Sequence, residues 1–280
     1  MIVVTGATGN IGAPLVRLLA EAGEEVTAVA RHADLSLPAG VRSVRADLGE
    51  PESLSPAVTG SDTLFLLITG AQLVAGPEPE QVLKVAAAGG VRRVVFVSSQ
   101  GAATRPGAAG YARLVAYEEA IRASGLAWTL LRPSGFFSNT YAWADAVRTQ
   151  RMVAAPFGDV GLPLIDPADI AAVAAAALRD ARHDGQVYTL TGPELATPRA
   201  QAEAIGTAIG EPLRFVELTR TQARSAMLEF MPEPVAEHTL TILGEPTPAE
   251  QRISPDVPRV LGRPATTYAD WAARNRAAFA

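Results

Sequence analysis

Two hydrophobic rhythms alternate along the first half of the chain. Ile2–Thr5 is a short apolar run ending in glycine, and Pro14 to Ala22 follows with helical spacing that sets Leu15, Leu18 and Leu19 on one side. Glu25–Ala30 is a second β-branched run, and Pro51–Val58 reads as a short helix. Strand-like runs recur at Thr63–Thr69, Arg93–Ser99 and Ala127–Arg132, with helical spacing between them at Glu80–Ala88 and Tyr111–Ser124. Continuous apolar runs are what strands buried on both faces require. Their alternation with helices predicts βαβ units and a parallel sheet covered on both faces.

After Pro133 the rhythm breaks. Asp166-Pro167 opens a helix reaching Asp180, since proline suits a helix start. Gln186–Thr191 and Leu213–Leu218 read as strands and Pro198–Ile209 as a helix; the remainder is proline-rich and closes on a helix at Tyr268–Phe279. The expected fold is α/β, a Rossmann-type doubly wound parallel sheet over 1–133 continued by 165–191. Residues 134–164 and 192–280 form a smaller, substrate-facing part that is not an independent domain.

Composition narrows the chemistry. The chain has 280 residues, 48% hydrophobic and 19% charged, enough for a sizeable core. Net charge is −5 and the basic residues are scattered, whereas a nucleic-acid groove needs a concentrated positive field. No nucleic-acid partner is expected. There is no cysteine, which excludes disulfides, thiolate catalysis and iron–sulfur ligation. The three histidines, His32, His183 and His238, have no metal-ligand spacing, so no transition-metal site is expected. No signal-peptide pattern and no apolar run of about 18–20 residues is visible, so a cytoplasmic protein without membrane spans is expected.

Gly6, Gly9 and Gly12 lie after the first strand and open the first helix, in Gly6-Ala7-Thr8-Gly9-Asn10-Ile11-Gly12. A tight turn, a close approach of backbone to phosphate and a close strand–helix contact each ask for glycine there. The helix N-terminus then presents amide donors to a pyrophosphate. A site for NAD places Asp or Glu near the end of the second strand, on the ribose 2′-hydroxyl. Here that strand ends Val29-Ala30-Arg31-His32, with an arginine and no acid. A guanidinium suits a 2′-phosphate, so NADP(H) is favoured over NAD(H).

The stretch Val4 to Gly12 resembles the loop of the atypical short-chain dehydrogenase/reductases, specifically their NmrA-like group. Similar motifs run along the chain: Arg45-Ala46-Asp47-Leu48, Val95-Phe96-Val97-Ser98-Ser99, Ser124 to Pro133, Asp169-Ile170-Ala171, Tyr188 to Pro193 and Leu261-Gly262-Arg263-Pro264. The resemblance implies that Asp47 and Leu48 sit against the adenine; the alternative for Asp47 is a turn or cap residue. It implies that Leu67, Ile68 and Thr69 line the ribose side, that Ser98 and Ser99 approach the nicotinamide ribose, and that Pro133 and Phe136 face the nicotinamide.

Short-chain reductases typically use a serine with Tyr-x-x-x-Lys. Tyr111 follows Ser98-Ser99 at a plausible interval and is the candidate catalytic residue, but Leu114 and Val115 stand where the lysine belongs. Lys84 is the only lysine in the chain. Glu118 shares the helical face of Tyr111 and has the wrong sign to lower a phenol pKa; a helix-surface or supporting role is expected for it. The group includes NADPH:quinone reductases without the lysine relay. The leading expectation is therefore an NADPH-dependent oxidoreductase of a quinone or similar flat conjugated carbonyl. Phe136, Phe137, Tyr141, Trp143, Met227, Phe230 and Met231 are candidate pocket residues, although aromatic and methionine clusters are more often plain core. The alternative is a non-catalytic NADP(H)-sensing protein that regulates a protein partner.

Overall fold

The computed structural model describes residues 1–31, 37–68 and 70–280. In chain order its first elements are β1 (Ile2–Thr5), α1 (Gly12–Glu21), β2 (Val26–Ala30), β3 (Arg42–Arg45), α2 (Ser55–Val58), β4 (Thr63–Leu67), α3 (Pro79–Ala88), β5 (Arg93–Val97), α4 (Gln100–Thr104), α5 (Ala112–Ala123) and β6 (Ala127–Pro133). Then come α6 (Ala144–Gln150), β7 (Met152–Pro156), α7 (Pro167–Arg179), β8 (Gln186–Leu190), α8 (Pro198–Ile209), β9 (Arg214–Leu218), α9 (Arg220–Met227), α10 (Glu233–Gly244), α11 (Asp256–Leu261) and α12 (Tyr268–Arg274). No helix among the described residues is long and apolar enough to cross a membrane.

The chain divides into two compact units. The first comprises Met1–Gly107, Tyr111–Pro133 and Pro167–Thr189. Its seven-stranded sheet runs β3-β2-β1-β4-β5-β6-β8, and the pairings from β3 to β6 are parallel. Side chains alternate across the pleat. Leu64, Leu66, Val94 and Phe96 therefore join one core cluster with Leu54, Val82, Tyr117 and Ile121 from the α2, α3 and α5 side. On the opposite face α1 packs on α7 and against β1 and β2.

α1 has ten residues, below the ~12–15 that an isolated helix needs in water. Burial of Leu15, Val16 and Leu19 supplies the difference, at roughly 1.5–3 kcal/mol per side chain. Leu18, expected on the same side, is instead 37% exposed: its neighbour Val16 takes the inward position. Strand β3 carries no apolar run. Of Arg42–Arg45 only Val44 packs on the core, because this is the sheet's edge strand and its other three residues are exposed.

The second unit comprises Ala108–Gly110, Ser134–Asp166 and Leu190–Ala280. Parallel β7 and β9 form its ribbon. Its core gathers Phe137, Val147, Val153, Ile205, Tyr268, Trp271 and Phe279. Thr197 caps α8 by accepting from the Ala200 N–H, and Pro198 occupies the first turn.

Candidate functional site

Parallel pairing places the C-terminal ends of β1 to β6 along one edge. The chain leaves β1 for β2 on one side while β4 lies on the other, so the sheet order reverses between β1 and β4. Open α/β sheets bind ligands at such a reversal. The Thr5 hydroxyl joins the two strands there: it donates to the Phe65 carbonyl and accepts from the Leu67 N–H, both at 3.0 Å.

The glycine loop rises from this point. Gly6 has φ +63°, where a side chain is strained. The Gly9 N–H donates to the Gly6 carbonyl at 3.0 Å and closes the turn. A Cβ at Gly12 would stand 2.1 Å from the Gly6 oxygen and 2.9 Å from the Ala7 Cα, so the helix start and the loop touch only because neither carries a side chain there. Thr8, Gly9 and Asn10 are exposed, whereas the Ile11 side chain is buried. No side chain caps α1 and no acid lies in its first turn, which leaves the helix's positive end to an incoming anion.

Arg31 and Arg45 flank the next strand ends. Arg45 is in register with Ala30, and both arginines are exposed. Asp47 is held in a turn: its Oδ1 accepts from the Gly49 N–H at 2.8 Å and from the Gln72 side-chain amide at 3.2 Å. The side chains of Leu48 and Ile68, expected at the cofactor, are 8% and 3% exposed, because each packs into the α2–α3 cluster. Leu67 is half-buried, its Cδ2 3.3 Å from where a Gly6 Cβ would stand. Thr69 and His32 lie outside the described residues.

Beyond β5 the structure separates the two serines. Ser99 caps α4, accepting from the Gly101 N–H at 3.1 Å. Ser98 is buried and donates to Glu118 Oε1 at 2.6 Å. Glu118 is not on the helix surface: it is 2% exposed and receives Arg132 through two nitrogens and Arg122 at 3.0 Å. Burial pushes the Glu118 carboxyl upward, but hydrogen bonds from Arg132 and Ser98 outweigh it and hold the group below the usual carboxylate range. The Glu118–Arg122 spacing is readable along a helix. The partnership with Ser98 and Arg132 depends on β5, β6 and α5 meeting in space.

The ring of Tyr111 lies over α4. A Cβ on Gly101 would fall 1.9 Å from Tyr111 Cζ and 2.3 Å from its hydroxyl, so that glycine makes the slot the phenol occupies. Leu114 and Val115, one turn on, both pack against the core. Lys84 is exposed on α3 and lines a shallow hollow with Glu52, Ser55 and Thr59.

Pro133 ends β6 and is buried. In the second unit Phe136 is half-buried and bridges Ile165. Phe137 is a core residue, and Tyr141, 38% exposed, lies at the edge of that core. Phe137 sits edge-on to Tyr268 at 5.1 Å, and Tyr141 stacks on Phe279 at 5.8 Å while its hydroxyl donates to Asn275. Trp143 packs against that same cluster. Phe230 is 73% exposed beyond α9, with Met227 and Met231 half-buried beside it.

Residues 6–181 match the NAD(P)H-binding family. The chain is 38% identical to a (4-alkanoyl-5-oxo-2,5-dihydrofuran-3-yl)methyl phosphate reductase of Streptomyces griseus, across 100% of this chain and 99% of that one. It is 35% identical to an NAD(P)H azoreductase of Xenophilus azovorans, with the same coverage. The structure of an NADPH-dependent quinone oxidoreductase from Escherichia coli, solved with NADPH, superposes with a TM-score of 0.79 at 25% identity, covering 98% of this chain and 99% of that one. This chain belongs to the NAD(P)H-binding family.

Proposed function

We propose that this NAD(P)H-dependent oxidoreductase reduces a quinone or a similar flat conjugated carbonyl with NADPH, without a tyrosine–lysine proton relay. The observation that carries this reading is the packing of Leu114 and Val115 on the core, where a relay lysine would stand. No ammonium reaches Tyr111 from its own helix, and the Ser98 proton is committed to Glu118. A site built this way offers no strongly assisted acid. It suits an acceptor whose reduced form spreads negative charge over a conjugated system and takes its proton from water. NADPH, when bound, supplies the hydride. The names of the relatives fit that chemistry: an oxo-dihydrofuran, an azo compound and a quinone are all conjugated acceptors.

The glycine loop, Asp47, Leu67, Ser99 and the backbone at Leu48 and Ile68 are the proposed cofactor contacts. Arg31, assisted by Arg45 from the adjacent strand, is the proposed partner of a 2′-phosphate; both are exposed and neither forms an ion pair among the described residues. Two guanidiniums suit a dianion, and the uncharged 2′-hydroxyl of NAD(H) gives them nothing to neutralise.

The test is the loss of NADPH absorbance with a panel of quinones, an unsaturated lactone and an azo dye. Saturable turnover that prefers NADPH to NADH, with the preference lost in Arg31→Glu, is the expected result. Tight NADP⁺ binding with no turnover across the panel would replace the enzyme reading with that of a dinucleotide-sensing protein.

A further inference from the structure

Segment 70–77, which follows β4, is tied to Asp47, a proposed cofactor contact, and to Arg113, which the proposed reaction does not use. At one end the Gln72 side-chain amide donates to Asp47 Oδ1 at 3.2 Å. Asp47 is itself immobilised: its N–H donates to Ser53 Oγ at 2.9 Å, and that hydroxyl donates back to the Asp47 carbonyl at 3.0 Å. At the other end Arg113 Nε donates to the Gln72 carbonyl at 2.9 Å, and a second guanidinium nitrogen donates to the Pro77 carbonyl at 2.7 Å. The guanidinium lies 5.8 Å from the centre of the Tyr117 ring, which stacks on Phe96 of β5 at 5.4 Å. Arg113 is thus a half-buried post packed against the core, and its fork spans two carbonyls of a segment in which Val74 is 64% exposed.

We infer that Arg113 is a positioning residue for the adenine half of the nucleotide. It fixes segment 70–77, and through the Gln72 amide it fixes which way the Asp47 carboxylate faces. Oδ1 is saturated by Gly49 and Gln72, so Oδ2 is the acceptor left for an exocyclic amine. The inference rests on the reading that Asp47 edges the adenine, and is independent of the hydride acceptor.

The experiment is calorimetric titration of the full-length protein with NADP⁺ and with NAD⁺, for the wild type and for Arg113→Met, Gln72→Glu, their double variant and Asp47→Ala. Met keeps the packing over Tyr117 and removes the fork. Glu at position 72 keeps the backbone carbonyl that Arg113 holds and sets like charges against Asp47. Arg113→Met and Gln72→Glu are each expected to weaken both dinucleotides about tenfold, by the same factor for each, as loss of one charge-assisted contact does. The double variant is expected to lose no more than either single one, because both act in one chain of contacts. Arg113→Lys, able to reach only one carbonyl, is expected to recover part of the loss. Hydrogen exchange of a peptide spanning 70–78 should slow on adding NADP⁺ in the wild type and not in Arg113→Met. A purely structural role would lower the melting temperature and leave the dissociation constants unchanged.

Wild-type affinity in either single variant, or additive losses in the double, overturns the inference. Wild-type affinity in Gln72→Glu does so by itself, even where Arg113→Met fails to fold. Unchanged binding in Asp47→Ala overturns the underlying placement of adenine instead.

Discussion

Gly12→Ala separates the packing role of the glycine loop from its ligand role. The added methyl meets backbone on the other limb of the loop, at 2.1 Å from the Gly6 oxygen, 2.7 Å from its carbonyl carbon and 2.9 Å from the Ala7 Cα. An ordinary carbon–oxygen contact is about 3.4 Å, so the limb or the helix start has to move by roughly 1 Å. No side chain is available to yield. Overpacking of this kind costs about 1–3 kcal/mol. The movement also strains the Gly9-to-Gly6 bond at 3.0 Å and the Ala7-to-Val29 bond at 3.2 Å. Loss of one of them adds about 1 kcal/mol. A total of about 3 kcal/mol lowers the melting temperature by roughly 6–12 °C in a chain of this size and leaves it folded. A loop displaced by about 1 Å also misaims its amides, so NADP⁺ binding is expected to fall about a hundredfold.

Gly9→Ala is the control. Its methyl meets only the Gly6 oxygen, at 3.3 Å, and the residue is exposed. Stability is expected to change by less than about 0.5 kcal/mol, as at other surface positions, while NADP⁺ affinity falls because the methyl projects toward the phosphates. Scanning fluorimetry and calorimetric titration read the two effects separately. A Gly12→Ala protein that melts within about 2 °C of wild type and keeps its affinity would refute the reasoning.

Other residues give further tests. Glu118→Ala strands Arg132 and Arg122 and should cost about 2–3 kcal/mol in urea denaturation, below the full penalty of a buried pair because both arginines keep some solvent contact. Its folded pKa lies below the unfolded one, so its contribution is present above the ordinary value of 4.5 and is lost as pH falls through the folded value; the stability gap between wild type and Glu118→Gln should shrink only in that acidic range. Gly101→Ala should destabilise by about 1–3 kcal/mol by expelling the Tyr111 ring, and should be almost neutral in a Tyr111→Ala background, a coupling measured by a double-mutant cycle. His183 is buried with its Nδ1 2.8 Å from the Tyr188 hydroxyl, and burial lowers its pKa below 6.5. Its contribution is complete above 6.5 and declines as pH falls below it, so thermal melts of His183→Asn should lack that part of the wild-type slope.

The tests divide along the line between local and non-local information. Strands β1, β2, β4, β5 and β6 are readable as apolar runs because burial on both faces leaves them mostly apolar, with threonine the usual polar residue among them. The glycine spacing at the head of α1 is readable because backbone contact excludes a side chain whatever surrounds it, and the missing lysine is readable because α5 has a regular period. Edge strand β3 escapes that reading, since solvent covers most of it. So do α9 and α10, which lie in a proline-rich stretch and are joined by Arg224 bonding to both Glu233 and Glu237.

Only the tertiary structure makes Glu118 a buried carboxylate, gives Ser98 a partner 20 residues away, seats Tyr111 in the space left by Gly101 and ties Arg113 to Asp47 through Gln72. It also turns Phe137 into a core residue and sets Tyr141 at the exposed edge of that core, where the sequence allowed either core or pocket. The physical reason is the strand order. Periodicity and backbone sterics act over a few residues and are written locally, whereas side chains distant in the chain converge only after parallel pairing in the order β3-β2-β1-β4-β5-β6 has brought their strand ends to one edge.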